Sequence, residues 1–129
     1  MNTSILGIDI AKNVFQLHGV DKSGKVVLKK RLYREGLLSY IGKLEPCVIA
    51  MVACSSSNYW YRRFTEVGHT VKLISPQYVK PYVKTNKNDA CDAEAICEAA
   101  GRPNMRFVSP KNIEQQSIQS IHRVRERLI

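Results

Sequence analysis

The sequence predicts a single α/β domain built on a mixed β-sheet with helices on its faces. Its length of 129 residues suits one hydrophobic core. Short apolar runs rich in Val and Ile indicate buried strands. The first runs are joined by tight turns, and the later runs alternate with helical stretches. This order favours a sheet covered by helices. Hydrophobic residues at 44% and charged residues at 24% exclude a disordered chain.

Three strands are predicted at the start of the chain. The run SILGIDI is apolar and β-branched, which indicates a buried strand that ends near Asp9. The runs NVFQLHGV and KVVLKKRL follow as an antiparallel pair joined by the turn DKSG. Gly24 suits this turn because glycine adopts backbone conformations that other residues resist.

Helices and strands alternate in the rest of the chain. The predicted elements are, in order, the helix REGLLSYIGKL ended by Pro46, the strand CVIAMVA, the helix SNYWYRRFTEVGH with Ser56 or Ser57 as N-cap and Gly68 after its end, the strand TVKLIS, a short helix or turn in PQYVKPYVK, a helix from Asp89 to about Ala100, and a long helix in residues 112–129. A ribonuclease-H-like sheet has this order, as do some other α/β folds.

The charge of the chain indicates an anionic partner. The net charge is +9 and the isoelectric point is near 9.6, and a basic excess raises the local concentration of polyanions. Residues 67–88 carry four lysines and no acid. A merely soluble basic protein is the alternative. No apolar run reaches the roughly 20 residues that span a bilayer, and no leader is visible, so a cytoplasmic location is expected.

Cysteine and histidine show no zinc-ligand spacing, and we expect the four cysteines to be reduced and mostly buried. Three carboxylates are better metal candidates. Asp9 ends an apolar strand, and Asp89 and Asp92 stand three apart, so both face one side of a helix. An acidic helix cap explains the pair equally well. Together with Asp9 they offer hard oxygen ligands for Mg²⁺ or Mn²⁺. A fourth acid is expected after CVIAM, where the chain has Val52.

Several long motifs resemble the DEDD transposases of bacterial insertion sequences (insertion-sequence 110/1111 group), in their N-terminal RuvC-like domain. They are LGIDIAKNVFQLHGVD, VIAMVACSSSNYWYRRFTEVGHTVKLISPQYVKPYVK, NKNDACDAEAICEAA and RPNMRFV. The resemblance implies a ribonuclease-H-like (RuvC-like) fold over residues 1–108. It also implies that residues 109–129 begin a helical spacer, with the family's C-terminal serine domain absent.

The resemblance further implies a Mg²⁺-binding, catalytic role for Asp9, Asp89 and Asp92 in DNA transposition directed by a structured guide RNA. Val52 stands at the position of the family's Glu, so metal binding is expected to be impaired and enzymatic activity is uncertain. Phosphate contacts are expected from four lysines: Lys12, Lys80, Lys84 and Lys87.

Two interpretations of the function stay open from the sequence. The chain is either this impaired transposase domain or a catalytically silent module that binds nucleic acid or dimerises. A homo-oligomer formed through the 111–128 helix, a bacterial cytoplasmic location near the nucleoid and no membrane contact are expected. A sugar or nucleotide phosphotransferase is disfavoured because its Gly-rich phosphate loop is missing.

Overall fold

A computed structural model of the chain describes residues 3–10, 13–54, 56–83 and 89–109, and the side chains of residues 89–91 lie outside this description. The predicted alternation of strands and helices is confirmed. The elements are β1 (Ile5–Asp9), β2 (Val14–Val20), β3 (Val26–Tyr33), α1 (Arg34–Lys43), β4 (Val48–Val52), α2 (Ser57–Glu66), β5 (Thr70–Ile74), α3 (Pro76–Val79), a 3-10 turn (Lys80–Tyr82), α4 (Asp89–Ala100) and β6 (Phe107–Val108). The predicted helix in residues 112–129 and the spacer boundary lie outside the described residues.

The strands form one mixed sheet in the order β3-β2-β1-β4-β5-β6. β1, β2 and β3 pair in antiparallel fashion, whereas β4 is parallel to both β1 and β5. The two-residue strand β6 pairs antiparallel to β5 and was not predicted from the sequence. β1 and β4 are therefore central strands, and their carboxyl ends reach the same edge of the sheet.

The β2–β3 connection forms as the DKSG turn predicts. Gly24 has a φ of +86°, a conformation that disfavours other residues. The Asp21 carboxylate accepts hydrogen bonds from the backbone N–H groups of Ser23 and Lys25 and from the Ser23 hydroxyl. The hydroxyl donation from Ser23 lowers the pKa of Asp21 most. The turn is therefore fixed by its own residues, which is why the sequence predicts it.

Each face of the sheet packs against helices. On one face α1 and α2 cover a large core that includes Phe15 from β2 and Trp60 and Phe64 from α2. On the other face α4 packs mainly on β1 and β2, and its Ala95, Ile96 and Ala99 also reach β4 and β5. Because strand side chains alternate, β1 supplies Leu6 and Ile8 to the first face. Burial on both faces explains why its run reads as continuously apolar.

His69 joins three elements in the interior. Its Nδ1 accepts a hydrogen bond from the backbone N–H of Cys47 at 3.2 Å, and its Nε2–H donates to the carbonyl of Ile41 at 2.8 Å. These partners select the neutral tautomer that carries the proton on Nε2. The ring therefore connects the end of α1 to the residues that precede β4 and β5.

The predicted ends of α2 are confirmed at Gly68 and at the N-cap position Ser56, but the expected capping bond is absent. Gly68 has a φ of +102° directly after α2. Ser56 occupies the N-cap position but makes no side-chain capping bond. Ser57 is instead buried and donates its hydroxyl to the Cys54 carbonyl at 2.6 Å. The reason is local, because a serine one residue into the helix can bond back to the preceding turn.

The three cysteines whose side chains are described fall into two classes, and the side chain of Cys91 lies outside the described residues. Cys47 is 8% exposed and Cys97 is 2% exposed, whereas Cys54 is exposed, and all three are free thiols. Burial raises the pKa of both buried thiols to about 11. They therefore stay protonated and unreactive at neutral pH.

Native alkylation is expected to separate these classes. With iodoacetamide at pH 8, Cys54 should react at least ~100-fold faster than Cys47 and Cys97. Only thiolates attack, and a thiol with a pKa of about 11 is about 0.1% thiolate at pH 8, while burial also shields both sulfur atoms from the reagent. Peptide mass spectrometry reads each site separately. Labelling in urea is the control, where all sites should react alike. Equal native rates would contradict the buried placement.

No helix among the described residues is long and apolar enough to cross a membrane.

Candidate functional site

Asp9 and Val52 lie side by side at one edge of the sheet. β1 and β4 are parallel, and Ile8 is aligned with Met51. Asp9 and Val52, the next residue of each strand, are therefore neighbours where both strands end. Strand alternation directs Asp9 away from the core side of Ile8 and onto the face that α4 covers.

α4 brings Asp92 to the same place. Asp9, Val52 and Asp92 all line one open pocket of about 330 Å³ and are half-buried. Asp89 is the first residue of α4, three residues before Asp92. The side chain of Asp89 lies outside the described residues. The structure thus brings together Asp9, Asp92 and Val52, the position at which the resemblance implies a further acid.

Of the four lysines singled out in the sequence, Lys80 is exposed and lines the pocket. It follows α3, which begins at Pro76 two residues after the end of β5. Lys12, Lys84 and Lys87 lie outside the described residues. A cation therefore lines the same pocket as the two carboxylates, and it could contact a phosphate group, which the carboxylates alone would repel.

The remaining pocket wall is mostly apolar and was not found by reasoning from the sequence. It consists of Ile10, Cys54, Pro76, Val79, Val83 and Ile96. These residues come from four separate segments, and none carries a local signal of function. Cys54 lies two residues after Val52 and contacts the Ser56 hydroxyl at 3.3 Å. The wall places apolar surface beside the two carboxylates. Apolar surroundings lower the local dielectric, which strengthens the interaction of a carboxylate with a cation.

The donor set of the pocket fits one Mg²⁺ ion. Among residues whose side chains are described, no three His, Cys, Asp or Glu residues gather closely enough to hold a metal by themselves. Mg²⁺ does not require such a cluster, because it commonly binds one or two carboxylates and completes its shell with water and substrate phosphate. Asp9 and Asp92 meet this requirement, and Val52 contributes an isopropyl group where a third acid would add affinity.

A larger cavity of about 540 Å³ lies at the opposite ends of β1 and α4. It includes Ser4, His18, Glu94, Cys97 and Arg102. The Cys97 thiol donates towards the Ile5 carbonyl at 3.6 Å and is protonated at neutral pH, so it is not a nucleophile. This cavity is remote from the carboxylates at the strand ends, and the chemistry of the site does not use it.

Comparison with known proteins gives one family. A transposase family model of the DEDD type from the IS110 group matches residues 6–129. A "Probable family 20 transposase" of Pseudomonas aeruginosa is 57% identical over 129 residues, covering 100% of this chain and 38% of that protein. The transposase for insertion sequence element IS1111A of Coxiella burnetii is 51% identical over 125 residues, covering 97% and 34%. The chain thus spans less than two fifths of the length of these relatives.

Solved structures show the same fold at low sequence identity. The chain is similar to Thermus thermophilus RuvC, with a TM-score of 0.58 and 13% identity over 81% of this chain and 99% of that one. A structure of T. thermophilus RuvC in complex with a Holliday junction substrate gives a TM-score of 0.55, covering 81% and 98%. The predicted ribonuclease-H-like, RuvC-like sheet is confirmed.

Proposed function

Because the chain belongs to the DEDD transposases of the insertion-sequence 110/1111 group and has a RuvC-like fold, we propose that it is the N-terminal domain that binds DNA and guide RNA during DNA transposition. It would hold Mg²⁺, or Mn²⁺, at the strand-end pocket. The observation that supports this most directly is that Asp9 and Asp92, distant in sequence, line one pocket beside Lys80.

Each residue has a defined role in this proposal. Asp9, Asp89 and Asp92 bind the metal, which would polarise a phosphoryl oxygen and activate the attacking group. Lys80 orients the phosphate from the rim of the pocket, and Lys12, Lys84 and Lys87 extend the phosphate contacts. The apolar wall of Val79 and Ile96 excludes bulk water.

Val52 leaves this site short of one ligand. It is half-buried in the pocket wall beside Asp9. An isopropyl group cannot bind a cation, and it places an apolar surface where the ion needs an oxygen. The chain would therefore bind Mg²⁺ weakly in the absence of nucleic acid and would be an impaired transposase domain.

Val52 equally favours a second function, a catalytically silent module that binds nucleic acid or dimerises through residues 111–128. The net charge of +9 serves nucleic-acid binding with or without a metal. Loss of metal-dependent cleavage in Asp9→Asn would separate the two functions, because a silent module has no cleavage to lose. Either role would place the protein with bacterial nucleic acid in the cytoplasm.

Isothermal titration of Mg²⁺ and Mn²⁺ tests the proposed site. Val52→Glu is expected to bind at least about tenfold more tightly than the present chain, because it adds one charged oxygen ligand. Asp92→Asn in the Val52→Glu background should lose this gain. A Val52→Gln variant, which adds a polar group of similar size without the charge, is the matched control. Equal heats in all four proteins would overturn the metal site.

A further inference from the structure

The edge strand β3 presents an exposed basic and aromatic row, Lys29, Arg31 and Tyr33, called here the β3 strip. All three side chains are exposed, and Tyr33 reaches 65%. They alternate along the strand, so all point to one face of the sheet. No ion pair joins Lys29 or Arg31 to another residue in the described part of the chain. Their charges are therefore available to a partner.

The register of the sheet places the β3 strip on the same face as Asp9. Arg31 is aligned with Gln16 of β2, and Gln16 is aligned with Asp9 of β1. Side chains of directly opposed residues share a face, so these three form a row across the sheet. Neighbouring strands lie about 4.8 Å apart, so the Arg31 backbone is about 10 Å from that of Asp9. α4 packs on this face at β1 and β2 and leaves the strip on β3 exposed.

The strand and the turn that leads into it carry no acid, although Asp21 and Glu35 flank this stretch. Residues 22–34 carry six of the 20 Lys and Arg residues and neither Asp nor Glu. Protection of a sheet edge against aggregation accounts for one or two charges on such a strand. It does not account for Tyr33, since a large exposed aromatic ring would promote association between edges. A ring beside two free cations is instead the combination that binds unpaired bases and their phosphates.

We propose that the β3 strip binds single-stranded DNA, namely the nucleotides that adjoin the phosphodiester held at the Asp9 pocket. Arg31 and Lys29 contact phosphates, and Tyr33 stacks on a base. This inference rests on the proposed function, because the distance of about 10 Å allows one strand to occupy both places. Stacking on Tyr33 requires a base free of its pairing partner, which selects a single strand over a duplex.

Fluorescence anisotropy with a labelled single-stranded DNA oligonucleotide in EDTA tests the strip. Lys29→Ala/Arg31→Ala is expected to weaken binding about tenfold and to reduce the slope of log affinity against log salt by about 1.4, which is 0.7 for each lost phosphate contact. Tyr33→Ala should weaken binding about tenfold with an unchanged slope, because it removes stacking and no charge.

Lys43→Ala/Arg62→Ala is the matched control. It removes the same two charges from exposed positions on α1 and α2, which pack on the opposite face of the sheet. It should weaken binding less than about twofold and leave the salt slope unchanged. Equal losses in the control and strip variants would mean that only net charge matters and would overturn the proposal.

Other ligands and the metal titration separate the remaining outcomes. The strip variants could weaken the binding of a DNA duplex, or of single-stranded RNA, more than the binding of single-stranded DNA. That result would assign the strip to another nucleic acid and would overturn the proposal. No binding of single-stranded DNA by the present chain would overturn it as well. The proposed function is decided separately by the Mg²⁺ heats of Val52→Glu, which require no DNA and no strip residue.

Discussion

Gly7→Ala is expected to lower the free energy of unfolding by about 3 kcal/mol, which is a large fraction of the stability of a small domain. A Cβ atom on Gly7 would lie 2.5 Å from the Ala93 carbonyl oxygen, 2.7 Å from the Cys97 nitrogen and 2.9 Å from the Cys97 Cβ. Two of these atoms belong to the backbone of α4 and cannot rotate away. The helix must therefore shift off β1.

Urea denaturation followed by circular dichroism measures this effect. Gly36→Ala is the matched control, because nothing lies within 4 Å of its added Cβ and Gly36 lies inside α1. That variant should gain up to about 1 kcal/mol from the higher helix propensity of alanine. A loss of less than about 1 kcal/mol in Gly7→Ala would mean that α4 does not pack on β1 as closely as the structure has it.

The same substitution should also disturb the site. Asp92 reaches the pocket only because α4 lies against β1, while Asp9 belongs to β1 itself. Displacement of α4 separates the two carboxylates. The contact at Gly7 is therefore a structural condition for the proposed metal site, two residues before its first ligand.

Local signals account for what the sequence predicts well. Gly24 and Gly68 adopt positive φ at the turn and helix end that their positions indicate. The order of strands and helices follows from the apolar runs and from the Pro and Gly residues at which these runs end. Asp9 could be named as a candidate because an acid next to an apolar run is unusual, and Asp92 because it stands three residues after Asp89 on one face of a helix.

Features that depend on tertiary contacts could not be predicted from local sequence signals. β6 is two residues long and exists only because β5 offers it an edge. The pocket wall gathers Cys54, Pro76 and Ile96 from separate segments. The β3 strip likewise needs the strand register, since the sequence alone does not say that Arg31 and Asp9 share a row.

Val52→Glu is expected to destabilise the fold when no metal is present and to lose this deficit when Mg²⁺ is bound. In EDTA it should lower the free energy of unfolding by about 2 kcal/mol. The new carboxylate would join Asp9 and Asp92 in one open pocket. Like charges about 7 Å apart at an effective dielectric of about 40, between the protein-surface and bulk-water values, repel by about 1 kcal/mol per pair, or about 2 kcal/mol for the two new pairs. Loss of apolar packing at this half-buried position adds to the cost.

Saturating Mg²⁺ should remove this deficit. A ligand that binds only the folded state at 100 times its dissociation constant stabilises by about 2.7 kcal/mol, which exceeds the repulsion it neutralises. The Val52→Glu variant should therefore melt lower than the present chain in EDTA and at least as high in Mg²⁺. The present chain should change little between the two conditions, because Val52 offers no ligand.

Val52→Gln separates charge from packing in these melts. It replaces the isopropyl group with a polar side chain of nearly the same size as Glu, so it carries the packing loss without the repulsion. We expect its melting temperature in EDTA to lie between those of the other two proteins and not to change when Mg²⁺ is added. A Val52→Glu variant that melts higher than the present chain in EDTA would show that the three positions do not converge. The missing acid would then lie elsewhere in the fold, and Val52 would be an ordinary residue of the pocket wall.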